Sequence, residues 1–116
     1  MKQLKDDQPD SNYTYENIVK VFDALSHPAR VKIMGILYQN KHYVSELARM
    51  MNISRPLLYM HLQKLESAHL IQGDHEISTD GKAMKYYEVL PFELMVTPAT
   101  LFAISESIPI RKDEPN

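Results

Sequence analysis

The stretch Ser54–Ala68, SRPLLYMHLQKLESA, combines an apolar stripe with guanidinium, amide, phenol and ammonium groups. On a helical wheel at about 100° per residue, Leu62, Leu65 and His69 lie within about 40° of Leu58, which makes one side fit for burial. Pro56, Tyr59, Met60, Gln63 and Ser67 fall on the opposite half. Arg55 sits at the N-terminus, and Leu57 and Lys64 lie on one flank. Ser54 is the expected N-cap. Arg pairs bidentately with guanine, Gln with adenine, and Tyr or Lys with phosphate. This is the chemistry of a helix that reads the major groove of double-stranded DNA. It marks Ser54, Arg55, Pro56, Tyr59, Met60, Gln63 and Lys64 as the DNA-contacting set. An ordinary amphipathic surface helix would show the same wheel, so the surrounding elements have to decide between the two.

Those elements are legible upstream and downstream. Ile18, Val21, Phe22 and Leu25 recur at i, i+3, i+4 and i+7, predicting a first helix from near Thr14. Ser26-His27-Pro28 ends it and starts a second helix, running to about Gln39 and expected to bury Val31, Ile33, Met34, Ile36 and Leu37. Gly35 inside it costs roughly 1 kcal/mol relative to Ala, for which close helix packing is the expected compensation. Asn40-Lys41-His42 reads as a loop. Val44, Leu47, Ala48 and Met51 predict a short third helix, and Met51-Asn52-Ile53 a turn before the Ser54–Ala68 helix. After Ala68 the period changes. Leu70–Ser78 and Ala83–Val89 read as strands around the turn Thr79-Asp80-Gly81-Lys82, with Tyr87 and Val89 facing inward. Pro91 and Pro98 interrupt the remainder of the chain. Thr97 is the expected N-cap of a last helix to about Ser107, apolar on most sides and marginal on its own.

The expected class is therefore α+β, mainly α: a helix-turn-helix followed by a two-stranded β-hairpin wing. The expected domain plan is a disordered tail over 1–12, a winged helix-turn-helix over 13–90, a C-terminal segment over 91–108 and a charged tail over 109–116. At 116 residues the chain suits one domain, with 44% hydrophobic and 24% charged residues, ordinary values for a globular protein. Its net charge of -2 is unevenly spread. Residues 20–90 carry nine Lys/Arg against seven Asp/Glu, and the acidic excess sits in the two ends. A weakly basic middle is compatible with nucleic acid but does not by itself argue for it. The absence of cysteine excludes disulfides, thiolate metal sites and Cys nucleophiles. It fits the cytoplasm, as does a polar, acidic start with no signal-peptide pattern. No apolar run approaches the ~20 residues that span a bilayer. No phosphate-cradling Gly loop, paired-carboxylate motif or Ser/His/Asp pattern stands out, so no catalytic residue and no enzymatic activity is expected. His61, His69 and His75 are the one conceivable metal cluster. Packing, capping and surface roles account for them better, so neither metal nor cofactor is expected.

The segment Ala24–Val89 resembles the ArsR/SmtB family of winged-helix repressors. The matching pieces are ALSHPARVKIMGIL, the V-S-E-L-A of the third helix, the H-L-x-x-L of His61, Leu62 and Leu65, the A-x-L-I after the helix, and G-K-x-x-x-Y-Y-x-V in the wing. The resemblance implies a homodimeric repressor of a palindromic operator, with one recognition helix per half-site. The wing, with Lys82 and Lys85, would lie along the backbone or minor groove. The first and last helices would form the dimer interface, through Ile18, Val21, Phe22, Leu101, Phe102 and Ile104. The chain departs from the family's two metal-sensing patterns: VSELARMM carries no Cys pair, and Thr97–Ser107 offers only Glu106. The switching signal is thus open between a small molecule, a partner protein and none. Tyr59 and His69 stand where the family often has Ser and Gly; His69 is expected in the left-handed, helix-ending conformation. The runner-up expectation is a protein-interaction winged helix, using the apolar residues of the recognition face and the C-terminal segment.

Overall fold

A computed structural model of the chain describes residues 14–111. The elements, in order, are α1 (Tyr15–Ala24), α2 (Pro28–Gln39), β1 (His42–Tyr43), α3 (Val44–Met51), α4 (Arg55–Ser67), β2 (Ile71–Ile77), β3 (Ala83–Val89) and α5 (Pro98–Ser105). They fall into two compact units: residues 20–92, and residues 14–19 together with 93–111.

In the larger unit, local chemistry sets the helix ends. The Ser26 hydroxyl donates to the Asp23 carbonyl at 2.7 Å where α1 stops. His27 caps α2, its Nδ1 accepting from the Ala29 N–H at 3.1 Å, and Pro28 occupies the first turn, where no intrahelical donor is needed. Ile33, Leu37, Val44, Leu47, Leu58, Leu62, Leu65, Leu70, Ile71 and Tyr87 form one buried cluster to which α2, α3, α4 and the sheet all contribute. Five of these, Ile33, Leu47, Leu58, Leu62 and Leu65, have no exposed surface. Burying each such side chain stabilises the fold by about 1.5–3 kcal/mol.

Several expectations change here. Val31 is not in the core; it is 53% exposed. The buried stripe of α2 is Arg30, Ile33 and Leu37, and Val31 lies about 160° around the helix from Ile33. Gly35 is not closely packed either: a Cβ built on it meets nothing within 4 Å. His69 is exposed rather than part of the buried stripe. The helix has ended by then, so helical spacing no longer applies, and His69 takes the expected left-handed conformation with φ 62°. His42, expected in the loop, is instead the first residue of β1, residues 42–43. They pair antiparallel with β3, His42 opposite Tyr87 and Tyr43 opposite Tyr86, giving a three-stranded sheet in the order β1-β3-β2.

The wing hairpin is in register from Ile71 opposite Val89 to Ile77 opposite Ala83. Gly73 faces Tyr87 across the pair. A Cβ there would stand 2.8 Å from the Tyr87 Cε1 and 2.9 Å from the Lys85 Cε, so only glycine lets that ring lie over the strand. At the tip, Gly81 has φ 89°, a turn conformation that a side chain would strain. The Ser78 hydroxyl donates to the Asp80 carboxylate, and the Ser78 N–H donates to the Lys82 carbonyl at 2.8 Å.

The smaller unit contains α5. Thr97 caps it, accepting from the Thr100 N–H at 3.1 Å, while the Thr100 hydroxyl accepts from the Thr97 N–H at 2.8 Å. None of the α5 residues is buried. The tail expected over 1–12 lies outside the described residues. No helix among the described residues is long and apolar enough to cross a membrane.

Candidate nucleic-acid interface

The helix-turn-helix is closed by backbone chemistry at the turn. Asn52 adopts φ 57°, and the Ile53 N–H reaches back to the Ala48 carbonyl at 3.2 Å, ending α3 as a Schellman-type cap does. Ser54 then starts α4: its hydroxyl accepts from the Leu57 N–H at 3.3 Å and its carbonyl from the Leu58 N–H at 2.9 Å. Pro56 sits in the first turn. With Leu58, His61, Leu62 and Leu65 buried, the helix can present only its other side.

That side carries Pro56, Met60, Gln63 and Ser67, all exposed, with Met60 at 51%. Arg55 is exposed in the first turn. Tyr59 (42% exposed) lies on the flank shared with Glu66, and Leu57 (40%) on the flank shared with Lys64. Ser54 is exposed but committed to capping. Lys64 is also committed: its Nζ donates to the Asp23 Oδ2 of α1 at 2.9 Å. That hydrogen bond, with the Lys64 charge second, holds the Asp23 carboxyl below the usual carboxylate range. Lys20, Asp23, Met60, Gln63, Lys64, Ser67 and Ala68 line an open cleft of about 390 Å³ between the end of α1 and α4.

The wing contributes two cations. Lys82 is exposed at the tip. Lys85 is half-buried, its Nζ 5.3 Å from the centroid of the Tyr87 ring. The Tyr87 hydroxyl is the main cause that holds Lys85 above the ordinary lysine value, and the fields of Glu66 and Tyr59 on α4 add to it. A brace fixes the wing's far strand: the Tyr43 hydroxyl donates to the Glu76 carboxylate, which Lys41 also approaches at 3.5 Å. The Lys41 ammonium lies 4.3 Å from the Tyr86 ring centroid.

Beneath α4 lies a polar contact that helical periodicity alone does not predict. Arg30 is only 7% exposed and His61 3%. The Arg30 Nε donates to the Ala24 carbonyl at 2.7 Å, and its other nitrogens reach the His61 Nδ1 at 3.1 Å and the Asp23 carbonyl at 3.4 Å. Because guanidinium only donates, His61 must accept at Nδ1 and carry its proton on Nε2. Burial is the largest cause holding the His61 pKa below the ordinary imidazole value, and His27, whose ring centroid is 4.8 Å away, and Arg30 add to it. Arg30 therefore ties the end of α1 to the inner face of α4. The sequence holds one signal of it, a charge spaced with Ile33 and Leu37 on a core stripe.

The residues expected at the dimer interface are all accessible. Ile18, Val21 and Phe22 of α1 are partly exposed, and so is Ile104 of α5. Leu101 and Phe102 are 44% and 66% exposed. The three histidines weighed as a metal cluster are separated: His61 is buried while His69 and His75 are exposed. Among the described residues no three His, Asp or Glu side chains converge as metal ligands would.

Known proteins share this architecture. The family model described as bacterial regulatory protein, arsR family, matches residues 27–72. A Methanocaldococcus jannaschii protein described as an uncharacterized HTH-type transcriptional regulator is 38% identical over 80 residues, covering 69% of this chain and 83% of that one. Among solved structures, the homodimeric winged helix-turn-helix domain of a possible ArsR-family regulator from Mycobacterium bovis superposes with a TM-score of 0.56 at 22% identity, covering 80% and 78% of the two chains. NolR from Sinorhizobium fredii superposes with a TM-score of 0.54 at 22% identity, covering 93% and 97%.

Proposed function

The chain belongs to the ArsR family of helix-turn-helix transcriptional regulators, and from that premise we propose that it is a homodimeric cytoplasmic repressor of a palindromic operator. Each protomer inserts α4 into the major groove of one half-site. The observation that carries this reading is the division of α4. Leu58, His61, Leu62 and Leu65 anchor it, and every other position from Arg55 to Ser67 is exposed. Arg55 contacts a guanine edge, Gln63 an adenine edge, and Ser54, Pro56, Tyr59 and Met60 complete the contacting surface. Lys82 and Lys85 place the wing against phosphates, where each contact strengthens binding at low salt. Lys64 contacts a phosphate by exchanging it for the Asp23 carboxylate that pairs its ammonium.

Dimerisation is proposed through Ile18, Val21 and Phe22 of α1 and Leu101, Phe102 and Ile104 of α5. A short helix with an apolar surface and no buried residue has reason to find a partner, and the Mycobacterium bovis domain of similar fold is described as homodimeric. Two copies related by a two-fold axis require half-sites about one helical turn, or a multiple of it, apart. A small molecule or a partner protein is a candidate effector.

Binding-site selection from random duplexes, followed by anisotropy over a salt series, tests the reading. A recovered inverted repeat, affinity that falls steeply with salt, and a loss of about tenfold or more on Arg55→Ala are expected. Failure of the folded dimer to enrich any duplex overturns it.

A further inference from the structure

The recognition face of α4 is unusually short of hydrogen-bonding readers. Lys64 is held by Asp23 at 2.9 Å, away from the outermost line of the helix. Arg55 lies at the first helical position, where it serves one end of the contacted bases. Between Arg55 and Gln63 the exposed side chains are Pro56, Leu57, Tyr59 and Met60, none of which carries an amide, carboxylate or cation. Pro56 and Met60, one turn apart, both lie within about 20° of the line opposite Leu58, and Leu57 and Tyr59 flank Met60 on either side. Together they make an apolar strip in the middle of a helix that has Arg55 at its start and a wing carrying Lys82 and Lys85 beyond it.

The major groove holds one apolar feature that distinguishes bases, the C5-methyl group of thymine. Hydrogen-bond donors and acceptors of guanine, cytosine or adenine beneath Leu57 and Met60 would lose water without gaining a partner, and this unmade pairing disfavours them. Arg55, at the start of the same helix, and Lys82, at the wing tip, are exposed cations for phosphates, which favours a duplex over an apolar protein groove as the occupant of the strip.

Accepting that α4 enters the major groove, as proposed above, we infer that Met60, flanked by Leu57 and Tyr59, is a specificity-determining residue that reads the C5-methyl groups of thymine in the middle of each half-site. Gln63 follows on an adjacent adenine, and Arg55 marks a guanine at the other end. Specificity at the centre of the half-site is then hydrophobic, and independent of salt in a way that the phosphate contacts are not.

Deoxyuridine in place of thymidine removes the methyl group and leaves every base-pairing atom. The selected duplex is therefore rebuilt with one substitution at a time and titrated against the full-length protein. One or two positions in each half-site are expected to weaken binding about fourfold, the factor for losing one buried methyl group. The Met60→Ala protein, altered at an exposed position, is expected to bind thymidine and deoxyuridine duplexes equally at those positions while keeping the wild-type salt slope. Equal binding of both duplexes by the wild-type protein, or full discrimination retained by Met60→Ala, overturns the inference and leaves the DNA-binding reading standing. Failure to select any duplex overturns both.

Discussion

Replacing Arg30 with Met tests whether the buried guanidinium holds the recognition helix in place. Met keeps most of the apolar stem and removes every donor. In the native protein the Arg30 Nε–H satisfies the Ala24 carbonyl at 2.7 Å, and a terminal nitrogen satisfies the His61 Nδ1 at 3.1 Å, both sites closed to solvent. The contact to the Asp23 carbonyl, at 3.4 Å, is long and counts for less. Each buried acceptor left without a donor costs about 1–3 kcal/mol. Removing a buried charge is often neutral when its partner is removed too. Here the carbonyl and the imidazole remain, so the penalty stands, reduced by the charge no longer being buried. The expected net loss is about 3 kcal/mol, a large part of the roughly 5–15 kcal/mol that holds a domain together. With an m-value of about 1–2 kcal/mol/M, the urea midpoint drops by about 1.5–3 M with m unchanged. Arg30→Lys recovers less than half of this, because one ammonium on a flexible stem cannot span acceptors on two helices. A loss below about 1 kcal/mol for Arg30→Met, measured by circular dichroism in urea, would refute the clamp.

The same geometry sets further outcomes. Because burial first, and the His27 and Arg30 charges after it, depress the His61 pKa in the fold, the unfolded chain takes up the proton first as pH falls below about 6.5. The His61 contribution to stability is therefore complete above that pH and is lost as pH falls through the folded value. His61→Gln, which keeps an acceptor for Arg30, should flatten the urea midpoint against pH between about 7.5 and 5, and an unchanged slope counts against the assignment. Gly35→Ala, with open space around the new methyl group, should stabilise the fold by up to about 1 kcal/mol. Gly73→Ala, which drives a Cβ against the buried Tyr87 ring, should cost about 1–3 kcal/mol; thermal melts of the pair should move in opposite directions. Leu101→Asp with Phe102→Asp should turn the proposed dimer into monomers by sedimentation, with the melting of residues 20–92 little affected; a dimer that persists removes α5 from the interface.

Much of the fold was legible locally. The start of α2 at Pro28, the caps at Ser54 and Thr97, the left-handed His69 and the returning strand Ala83–Val89 all follow from residue types within about four positions of each boundary. Helical spacing likewise selected Leu58, Leu62 and Leu65 as the buried side of α4, because a helix repeats its faces regardless of what it meets. The same local rules misplaced Val31, which is apolar but falls on the side of α2 away from the core. The arsR match over residues 27–72 agrees with the resemblance drawn from motifs.

Only tertiary structure decided the pairings. Arg30 meets His61 across 31 residues, Tyr43 meets Glu76 across 33, and Lys64 meets Asp23 across 41. No periodicity encodes such partners, since each contact forms where two elements with separately specified faces come together. β1 is the same case. Two residues are too few to show an alternating pattern, and they become strand only because β3 offers unpaired backbone groups at Tyr86 and Tyr87. The sequence thus determined that α4 would be a helix with one buried side. Packing decided that one of its cations would be tied back to α1, which leaves Met60 and its neighbours as the outward face.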